Sequence, residues 1–409
     1  MKGCACFVAL IPLFIFLSTG FAADIAAEVG IYDKFKGQGI SINVYNWGEY
    51  MSNGSDGKLN VNKEFEKLTG IHVNYTTFAS NEEMYAKISS GSVVYDVIIP
   101  SDYMISRMIS EKLLARLDFL NIPNAKNVMP EFGGLEYDPT GAYSVPYMWG
   151  TVGVVYNSRE IKGEVDGFDA LWDKKLKRNI LMFSNSRDAF AIALKKLGFS
   201  FNTENREEIL RAQGELKKQK ELVQAYVMDE IFDKMQSEEA WIAPCYSGVA
   251  LAMMKGNKDL RFVLPSGGTS RFVDAACVPI SSKKKEAAEL YINFLNEPEV
   301  ACANALYSDC STPNLKAFEM LPEEIKNSKI AYPDAEVLKN TRCYRFGSQE
   351  LGGFIESLWI EVLVGDEDND NWVMPVFIVV CVAAVTCIGV LRVRGKRRKS
   401  DVYAGSSKT

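Results

Sequence analysis

The first hundred residues contain short runs in which apolar and polar positions alternate. Ile40, Ile42 and Val44 are separated by polar residues, and this period of two predicts a β-strand. Residues 94–99 are almost continuously apolar, which suits a strand that is covered on both faces. The elements predicted after the first strand are a helix over 59–68 that ends at Gly70, a strand over 71–76, a helix capped by Asn81 that contains Met84, Tyr85 and Ile88, and a strand over 94–99. This order predicts an α/β domain.

Two of these predicted strands are followed directly by aromatic and polar residues. The first strand runs into Trp47, Glu49 and Tyr50, and the third runs into Ser101 and Tyr103. In open α/β sheets, ligands bind outside the carboxyl ends of the strands. A carboxylate pairs with a cation directly, and an aromatic face attracts one through its quadrupole. The repeated pattern indicates one shared cleft for an organic amine, although Trp47 and Tyr50 taken alone could equally be core residues at a strand end.

The chain continues far enough to form a second domain. It has 409 residues, which is sufficient for two domains. Residues 143–157 form a long, mostly apolar strand-like run that could carry the chain from one domain to the next. The elements predicted beyond this run are helices over 190–197, 210–222 and 287–295 and a strand over 262–264. No long linker or internal repeat interrupts the sequence before residue 366.

The chain begins with a long apolar run. Lys2 precedes apolar residues 4–23, which end in small residues, and this pattern is typical of a secretory signal peptide. We therefore assign residues 1–23 to a signal peptide. An uncleaved membrane anchor remains an alternative, because the run is long for the apolar part of a signal peptide.

A second apolar run lies near the C-terminus. Residues 372–391 contain no charged residue and are numerous enough to span a bilayer as one helix. An acidic linker, residues 363–371, precedes the run, and residues 392–409 after it contain seven Lys or Arg and one Asp. Positive charge flanks the cytoplasmic end of a span. We therefore predict a single-pass membrane protein whose residues from about 24 to 371 are extracytoplasmic and whose basic tail, residues 392–409, is cytoplasmic.

Charge and residue counts exclude several classes of function. The net charge is −6, and the basic tail makes the exported part more acidic still. Such a domain repels nucleic acid and attracts cations at long range. His72 is the only histidine, and we interpret it as a surface residue of the strand over 71–76. With one histidine and no C-x-x-C pair, a zinc site is improbable, and we expect no metal and no cofactor.

Seven ordered segments resemble the polyamine-binding (spermidine/putrescine) proteins that serve bacterial ABC importers. The likeness covers about residues 38–360, and the matching segments are 45–50, 80–87, 95–101, 143–150, 194–198, 312–315 and 332–335. The resemblance implies a two-lobed, periplasmic-binding-protein-like (type II) α/β fold with the ligand in the cleft between the lobes. It implies a first lobe of residues 38–150 and 273–321, and a second of residues 151–272 and 322–362. The predicted C-terminal transmembrane helix would be an addition to that fold.

The resemblance also implies which residues bind the ligand. Carboxylates would face the cationic nitrogens and so set the spacing of the charges. Aromatic rings would flank the methylene chain and add cation–π attraction. The ligand-binding residues implied in this way are Trp47, Glu49, Tyr50, Ser101, Tyr103, Asn185, Asp188, Tyr246, Phe272, Asp274 and Tyr344.

Several positions depart from the family pattern. Asn185 stands where a spermidine binder would offer an acid, and Tyr246 and Phe272 stand where tryptophans are common. Cys310 replaces a tyrosine and Tyr344 replaces a glutamine. Fewer charges and narrower aromatic rings leave the preferred ligand open between putrescine, a modified amine and a different organic cation.

The cysteines do not form an evident disulfide framework. Of nine, two lie in the predicted signal peptide and two in the predicted span, so five remain in the exported part. An odd number argues against complete pairing. Cys310 and Cys343 both fall near the site that the resemblance implies, and we state a bridge between them as a hypothesis.

Three functions remain to be compared. The resemblance favours a membrane-tethered extracytoplasmic receptor that delivers putrescine or spermidine to the permease of an ABC importer. A polyamine sensor on the same fold is the alternative, but a tail of about 18 residues leaves no room for a signalling domain. An enzyme is disfavoured because the chain lacks a G-x-S-x-G elbow, a P-loop and metal-ligand spacing. We therefore predict a binding protein that is not an enzyme.

Overall fold

The computed structural model describes residues 30–364. The predicted signal peptide (1–23), the predicted span (372–391) and the basic tail (392–409) lie outside these residues. The chain divides into two units between Ile355 and Glu356. Of the second unit, the description covers only residues 356–364, which are helical.

The first unit is built on a mixed sheet. In the order of the sheet its strands run β2-β1-β3-β9-β4-β7-β5-β6, with β8 paired to β4 and β10 paired to β9. The strands are β1 Ser41–Trp47, β2 His72–Phe78, β3 Val97–Ile98, β4 Ser144–Asn157, β5 Ile180–Phe183, β6 Val223–Val227, β7 Ile242–Tyr246, β8 Leu260–Val263, β9 Thr269–Cys277 and β10 Thr341–Arg342.

Helices connect and cover these strands. Among residues 30–364, none of the helices is both long and apolar enough to cross a membrane. The helices are α1 Val61–Thr69, α2 Asn81–Ser90, α3 Asp102–Ser110, α4 Ser186–Lys196, α5 Arg206–Lys220, α6 Glu230–Gln236, α7 Ser247–Gly256, α8 Lys285–Leu295, α9 Pro298–Ser308, α10 Leu315–Met320, α11 Glu323–Lys326, α12 Ala335–Leu338 and α13 Gln349–Val364.

Two groups of parallel strands are joined by an antiparallel pair. β1 runs parallel to β2 and β3, and β5 runs parallel to β6 and β7. The first half of β4, from Ser144 to Thr151, pairs with β9, and its second half, from Val152 on, pairs with β7 and β8. Strands β4 and β9 therefore carry the chain from one group of parallel strands to the other.

The elements predicted from periodicity are present, with shifted ends. The alternating runs form β1 and β2, the long apolar run forms β4, and the predicted helices correspond to α1, α2, α4, α5 and α8. The run over 94–99 contributes only Val97 and Ile98 to a ladder, because Val94 is 45% exposed and precedes the covered part of the sheet. His72 is an exposed residue of β2 and pairs with Glu66, as its surface assignment predicted.

The start of α2 differs from the prediction. Ser80 caps this helix, because its hydroxyl accepts a hydrogen bond from the backbone N–H of Glu83. The prediction that Asn81 is the cap is therefore wrong. Asn81 is buried in the first turn, where its side-chain amide donates to Ser101 Oγ at 3.1 Å and its oxygen accepts from the Ser101 N–H. The amide thus fixes the loop after β3 rather than the helix end.

Helix α8 anchors the core beside the first group of strands. Tyr291 and Phe294 on this helix are completely buried and pack against Phe65 of α1, with ring centroids 4.9 and 5.3 Å away. A second cluster contains Tyr45 of β1, which stacks on Tyr95 at 4.3 Å. These contacts hold the ends of β1 and β3 in place, and both strands lead into the candidate site.

Candidate ligand-binding site

Asp274 is the centre of a hydrogen-bonded cluster on β9. Its Oδ2 accepts a hydrogen bond of 2.6 Å from the Tyr50 hydroxyl, and its Oδ1 accepts one of 2.6 Å from Ser101 Oγ. Tyr50 lies in the loop after β1 and Ser101 in the loop after β3. An isolated bridge between Ser101 and Asp274 aligns the two backbones. The structure thus brings together two loops that the sequence predicted to share one cleft.

The Asp274 carboxylate is buried without a basic partner. It is 5% exposed and forms no ion pair in the part of the chain that the structure describes. Burial raises its pKa to about 6, although the hydrogen bonds from Ser101 and Tyr50 act in the opposite direction. Burial disfavours the charged form of a carboxylate, and a cation that binds next to the carboxylate stabilises that charged form.

Asp188 is the centre of a second cluster. Its Oδ2 accepts hydrogen bonds from the Tyr246 hydroxyl at 2.6 Å and from Asn185 Nδ2 at 2.9 Å, and its Oδ1 accepts one from the Tyr344 hydroxyl at 2.8 Å. Asn185 also caps α4 by accepting from the Asp188 N–H. Three of the predicted residues, from three separate parts of the chain, therefore surround the buried carboxylate of a fourth, Asp188.

Aromatic residues connect the two clusters. Phe272 lies two residues before Asp274 on β9, so both side chains are on the same face of that strand. The Phe272 ring meets the Tyr246 ring edge-on, with centroids 5.6 Å apart. Tyr103 lies at the start of α3, and the Arg187 guanidinium stacks on its ring at 3.5 Å from the centroid. The arrangement is a pair of carboxylates with aromatic rings between and beside them.

Trp47 and Glu49 contact residues outside the two clusters. The Trp47 ring is half-buried and packs against Phe78, with centroids 4.5 Å apart. Glu49 is exposed, has a φ of 48°, and accepts a hydrogen bond from the Tyr307 hydroxyl. Glu49 forms no described hydrogen bond with Asp274 or Asp188, so the loop after β1 contributes Tyr50 to the clusters through its bond to Asp274.

The sequence prediction did not include Arg187, which lies beside Tyr103 and beside Tyr344 of the second cluster. Its guanidinium lies 5.5 Å from the Tyr344 ring centroid and 3.8 Å from Glu82 Oε1. The sequence feature that could have indicated Arg187 is its position directly before Asp188 in the first turn of α4. Its stacking on Tyr103 could not be foreseen, because Tyr103 and Arg187 are more than 80 residues apart in the sequence.

The hypothesis of a Cys310–Cys343 disulfide is wrong in this structure. All five cysteines of the described region are free thiols. Cys310 packs beside Tyr50 and Asp274, whereas Cys343 belongs to the hydrophobic cluster that contains Trp149 and Tyr137. The two thiols therefore belong to different surroundings. Burial raises the pKa of Cys310 to about 12, so its thiol stays neutral at physiological pH.

Comparison with known proteins identifies the family. Residues 60–332 match the model for bacterial extracellular solute-binding proteins. The chain is 34% identical over 298 residues to the spermidine/putrescine-binding periplasmic protein of Escherichia coli K12, which covers 72% of this chain and 84% of that protein. It is 27% identical to a putrescine-binding periplasmic protein of the same organism, over 73% of this chain and 84% of that protein.

A solved structure shows the same fold. A spermidine/putrescine ABC transporter substrate-binding protein from Streptococcus pneumoniae superposes with a TM-score of 0.71 at 35% identity, covering 80% of this chain and 99% of that chain. The predicted two-lobed α/β fold is thus confirmed. Proteins of this kind bind solutes for transporters and are not enzymes, which agrees with the sequence prediction. The family model matches more than half of the chain, and the chain is 34% identical to a relative of which it covers 84%. This chain therefore belongs to the bacterial extracellular solute-binding proteins.

Proposed function

We propose that the chain is an extracytoplasmic receptor that binds a polyamine such as putrescine or spermidine and delivers it to the permease of an ABC importer. The observation that carries this proposal is Asp274, a buried carboxylate whose hydrogen bonds within residues 30–364 come from the neutral Tyr50 and Ser101 hydroxyls. The names of the relatives point to the same class of ligand. An organic ammonium supplies the positively charged partner that the Asp274 carboxylate lacks.

Each of the two carboxylates binds one ammonium group of the ligand. One ammonium group pairs with Asp274, and a second lies at Asp188. The Tyr246 and Phe272 rings contact the methylene chain between these groups and attract the adjacent cations through their faces. A pair of unit charges 4 Å apart attracts with about 4 kcal/mol at an effective dielectric constant of 20, before desolvation is subtracted.

The remaining predicted residues refine the site. Trp47 and Tyr103 flank the ligand at the ends of β1 and β3, and the exposed Glu49 attracts cations approaching from solvent. Ser101 and Asn185 hold the two carboxylates in place. Asp188 accepts three hydrogen bonds from neutral donors and interacts electrostatically with the Arg187 guanidinium, whereas Asp274 accepts two and forms no ion pair among the described residues. Asp274 is therefore the stronger anionic anchor.

Lobe closure and membrane attachment complete the proposal. The lobes comprise residues 38–150 with 273–321 and residues 151–272 with 322–362, and β4 and β9 connect them as the hinge. Closure around the amine presents a new surface to the permease. The span over 372–391, after the acidic linker 363–371, tethers the receptor and raises its effective concentration near the permease. The basic tail is cytoplasmic and the signal peptide directs export.

Calorimetry on the full-length chain tests this function. We expect micromolar or tighter binding of at least one of putrescine, spermidine, spermine and cadaverine, and no binding of a neutral amino acid. Asp274→Ala should abolish binding while the protein remains folded. Asp169→Ala, which removes an exposed carboxylate from a short helical turn, serves as the matched control and should bind normally. Absence of heat with every amine, from folded protein, would overturn the ligand assignment.

A further inference from the structure

A cavity of about 180 Å³ lies beside the second cluster, at the carboxyl ends of β5, β6 and β7. These three strands are parallel neighbours through β5, so their ends meet at one edge of the sheet. The residues that follow or end them are Phe183, Met228 with Asp229, and Tyr246, and all four line the cavity. Phe232 and Val249, from α6 and α7, are partly exposed and form its outer wall.

The cavity adjoins the residues that surround Asp188. Tyr246 lines it, and the Tyr246 hydroxyl donates to Asp188. Met228 also lines it, and Asn185 Nδ2 lies 3.3 Å from Met228 Sδ while it donates to Asp188 Oδ2. Through Tyr246 and Met228, these contacts place the cavity next to the two residues, Tyr246 and Asn185, that donate to Asp188 Oδ2.

The chemistry of the lining fits an alkylammonium group. Phe183 and Tyr246 stack at 5.1 Å, and Met228 and Val249 add flexible apolar surface. Asp229 is exposed, and its side chain makes no hydrogen bond or ion pair in the described region. A cavity of about 150 Å³ holds benzene, with six heavy atoms. An aminopropyl group has four heavy atoms, so it fits with its methylene groups on the apolar walls and its charge towards Asp229.

We propose that this cavity is a distal subsite which takes the aminopropyl arm of a linear polyamine, with the terminal ammonium at Asp229. This inference rests on the proposed polyamine-binding function and makes it more specific. A diamine ends at Asp188 and leaves the subsite unused. The preferred ligand is therefore a triamine or a longer polyamine rather than putrescine.

Competitive calorimetry with three amines on the full-length chain tests the subsite. Putrescine lacks the arm, spermidine carries it, and N-propylputrescine carries an arm of nearly the same shape without the terminal charge. We expect spermidine to bind about tenfold more tightly than putrescine, and N-propylputrescine to bind between them. Val249→Trp fills the cavity and should weaken spermidine about tenfold while putrescine stays within about twofold.

Asp229→Asn tests the charge separately. It should weaken spermidine about threefold, as expected for a partly exposed pair, and leave both other amines unchanged. Asp233→Asn, which removes an exposed carboxylate one turn along α6, is the matched control and should change none of the three affinities.

The possible outcomes separate this inference from the proposed function. Equal losses for spermidine and putrescine in Val249→Trp, or no loss for either, would overturn the subsite while leaving a polyamine receptor. Equal affinities of spermidine and N-propylputrescine would overturn the pairing with Asp229. If the unmodified chain binds none of the three amines, the proposed function and the subsite are both wrong.

Discussion

The Tyr50 hydroxyl donates a hydrogen bond of 2.6 Å to Asp274 Oδ2 and thereby ties the loop after β1 to the strand β9. Ser101 binds the other oxygen of the same carboxylate from the loop after β3. β9 is one of the two strands that connect the groups of parallel strands. A movement of one group relative to the other would therefore change the surroundings of Asp274. A change in the charge of Asp274 therefore affects both ligand affinity and stability.

Ligand affinity should fall at acid pH because of Asp274. Burial raises the pKa of this carboxyl to about 6, whereas an alkylammonium stays charged up to about pH 10. A bound ammonium favours the ionised form of Asp274. Below pH 6 the Asp274 carboxyl is protonated, so it must lose its proton when the ligand binds. Affinity should then decrease up to about tenfold per pH unit, and it should level off above pH 7. Calorimetry between pH 4.5 and 8 measures this slope.

Two neighbouring groups bear on the interpretation of that pH profile. Asp102, whose pKa is raised to about 7, interacts electrostatically with Asp274, so its ionisation adds attraction for the ligand in the same pH range. Cys310, with a pKa of about 12, stays neutral. The Asp102→Asn variant should keep the part of the slope that belongs to Asp274. A pH-independent affinity in that variant would contradict the assignment.

Asp102→Asn should stabilise the protein at alkaline pH. Asp102 is 1% exposed, its Oδ2 has no hydrogen-bond partner, and burial raises its pKa from 3.8 to about 7. The folded state therefore retains a proton that the unfolded state releases between about pH 4 and 7. The native protein loses stability as pH rises through this window, on the order of 4 kcal/mol from this group.

The asparagine variant lacks this cost, so its melting temperature should exceed that of the unmodified chain at pH 8.5 but not at pH 4. Differential scanning calorimetry at the two values measures the difference. Asp169→Asn, at an exposed position, should shift both melting temperatures equally. A destabilised Asp102→Asn at pH 8.5 would show that the ionised carboxylate is stabilised by a contact that the structure does not contain.

Removing either tyrosine hydroxyl from Asp188 should destabilise the fold. Tyr246→Phe or Tyr344→Phe deletes a hydrogen bond to a carboxylate that is 2% exposed, which costs about 1–3 kcal/mol in unfolding free energy. Urea unfolding measures this loss. Because both hydroxyls act on one carboxylate, the double variant should depart from additivity. Tyr307→Phe removes a hydroxyl bound to the exposed Glu49 and should cost less than about 1 kcal/mol.

Gly150→Ala should disturb both stability and binding. A Cβ at Gly150 of β4 would lie 2.6 Å from Phe272 Cζ and 2.8 Å from Ser247 Oγ. The added methyl group forces the Phe272 ring away from Tyr246, at a cost of about 1–3 kcal/mol and with weaker amine binding. Thermal unfolding and calorimetry measure the two effects.

Gly214→Ala provides the matched control for this glycine. Gly214 lies inside α5, and a Cβ there would meet no atom within 4 Å. Its replacement should stabilise the helix by about 0.5–1 kcal/mol and leave ligand affinity unchanged. Equal behaviour of the two variants would mean that the close approach of Phe272 to β4 has no energetic consequence.

Local patterns predicted the strands and helices because their cause is local. Alternating apolar residues identified β1 and β2, and a glycine with a φ of 72° ends α1 as predicted. The helix caps were harder, because Ser80 and Asn81 are both good caps and only the position of Ser101 decides between them. The length of β3 could not be predicted from its apolar run over 94–99, because only Val97 and Ile98 pair with neighbouring strands and Val94 is exposed.

The sequence by itself determined the α/β class and the family, and it predicted that the loops at 47–50 and 101–103 share one cleft, since motifs and periodicity are properties of neighbouring residues. Only the tertiary structure decided which groups meet. It assigned Tyr50 and Ser101 to Asp274, Tyr246 and Tyr344 to Asp188, and Arg187 to the face of Tyr103. These partners are distant in sequence, so their contacts form only when the separate elements pack together. Burial, which sets the charge of Asp274, likewise arises only when the separate parts of the chain pack together.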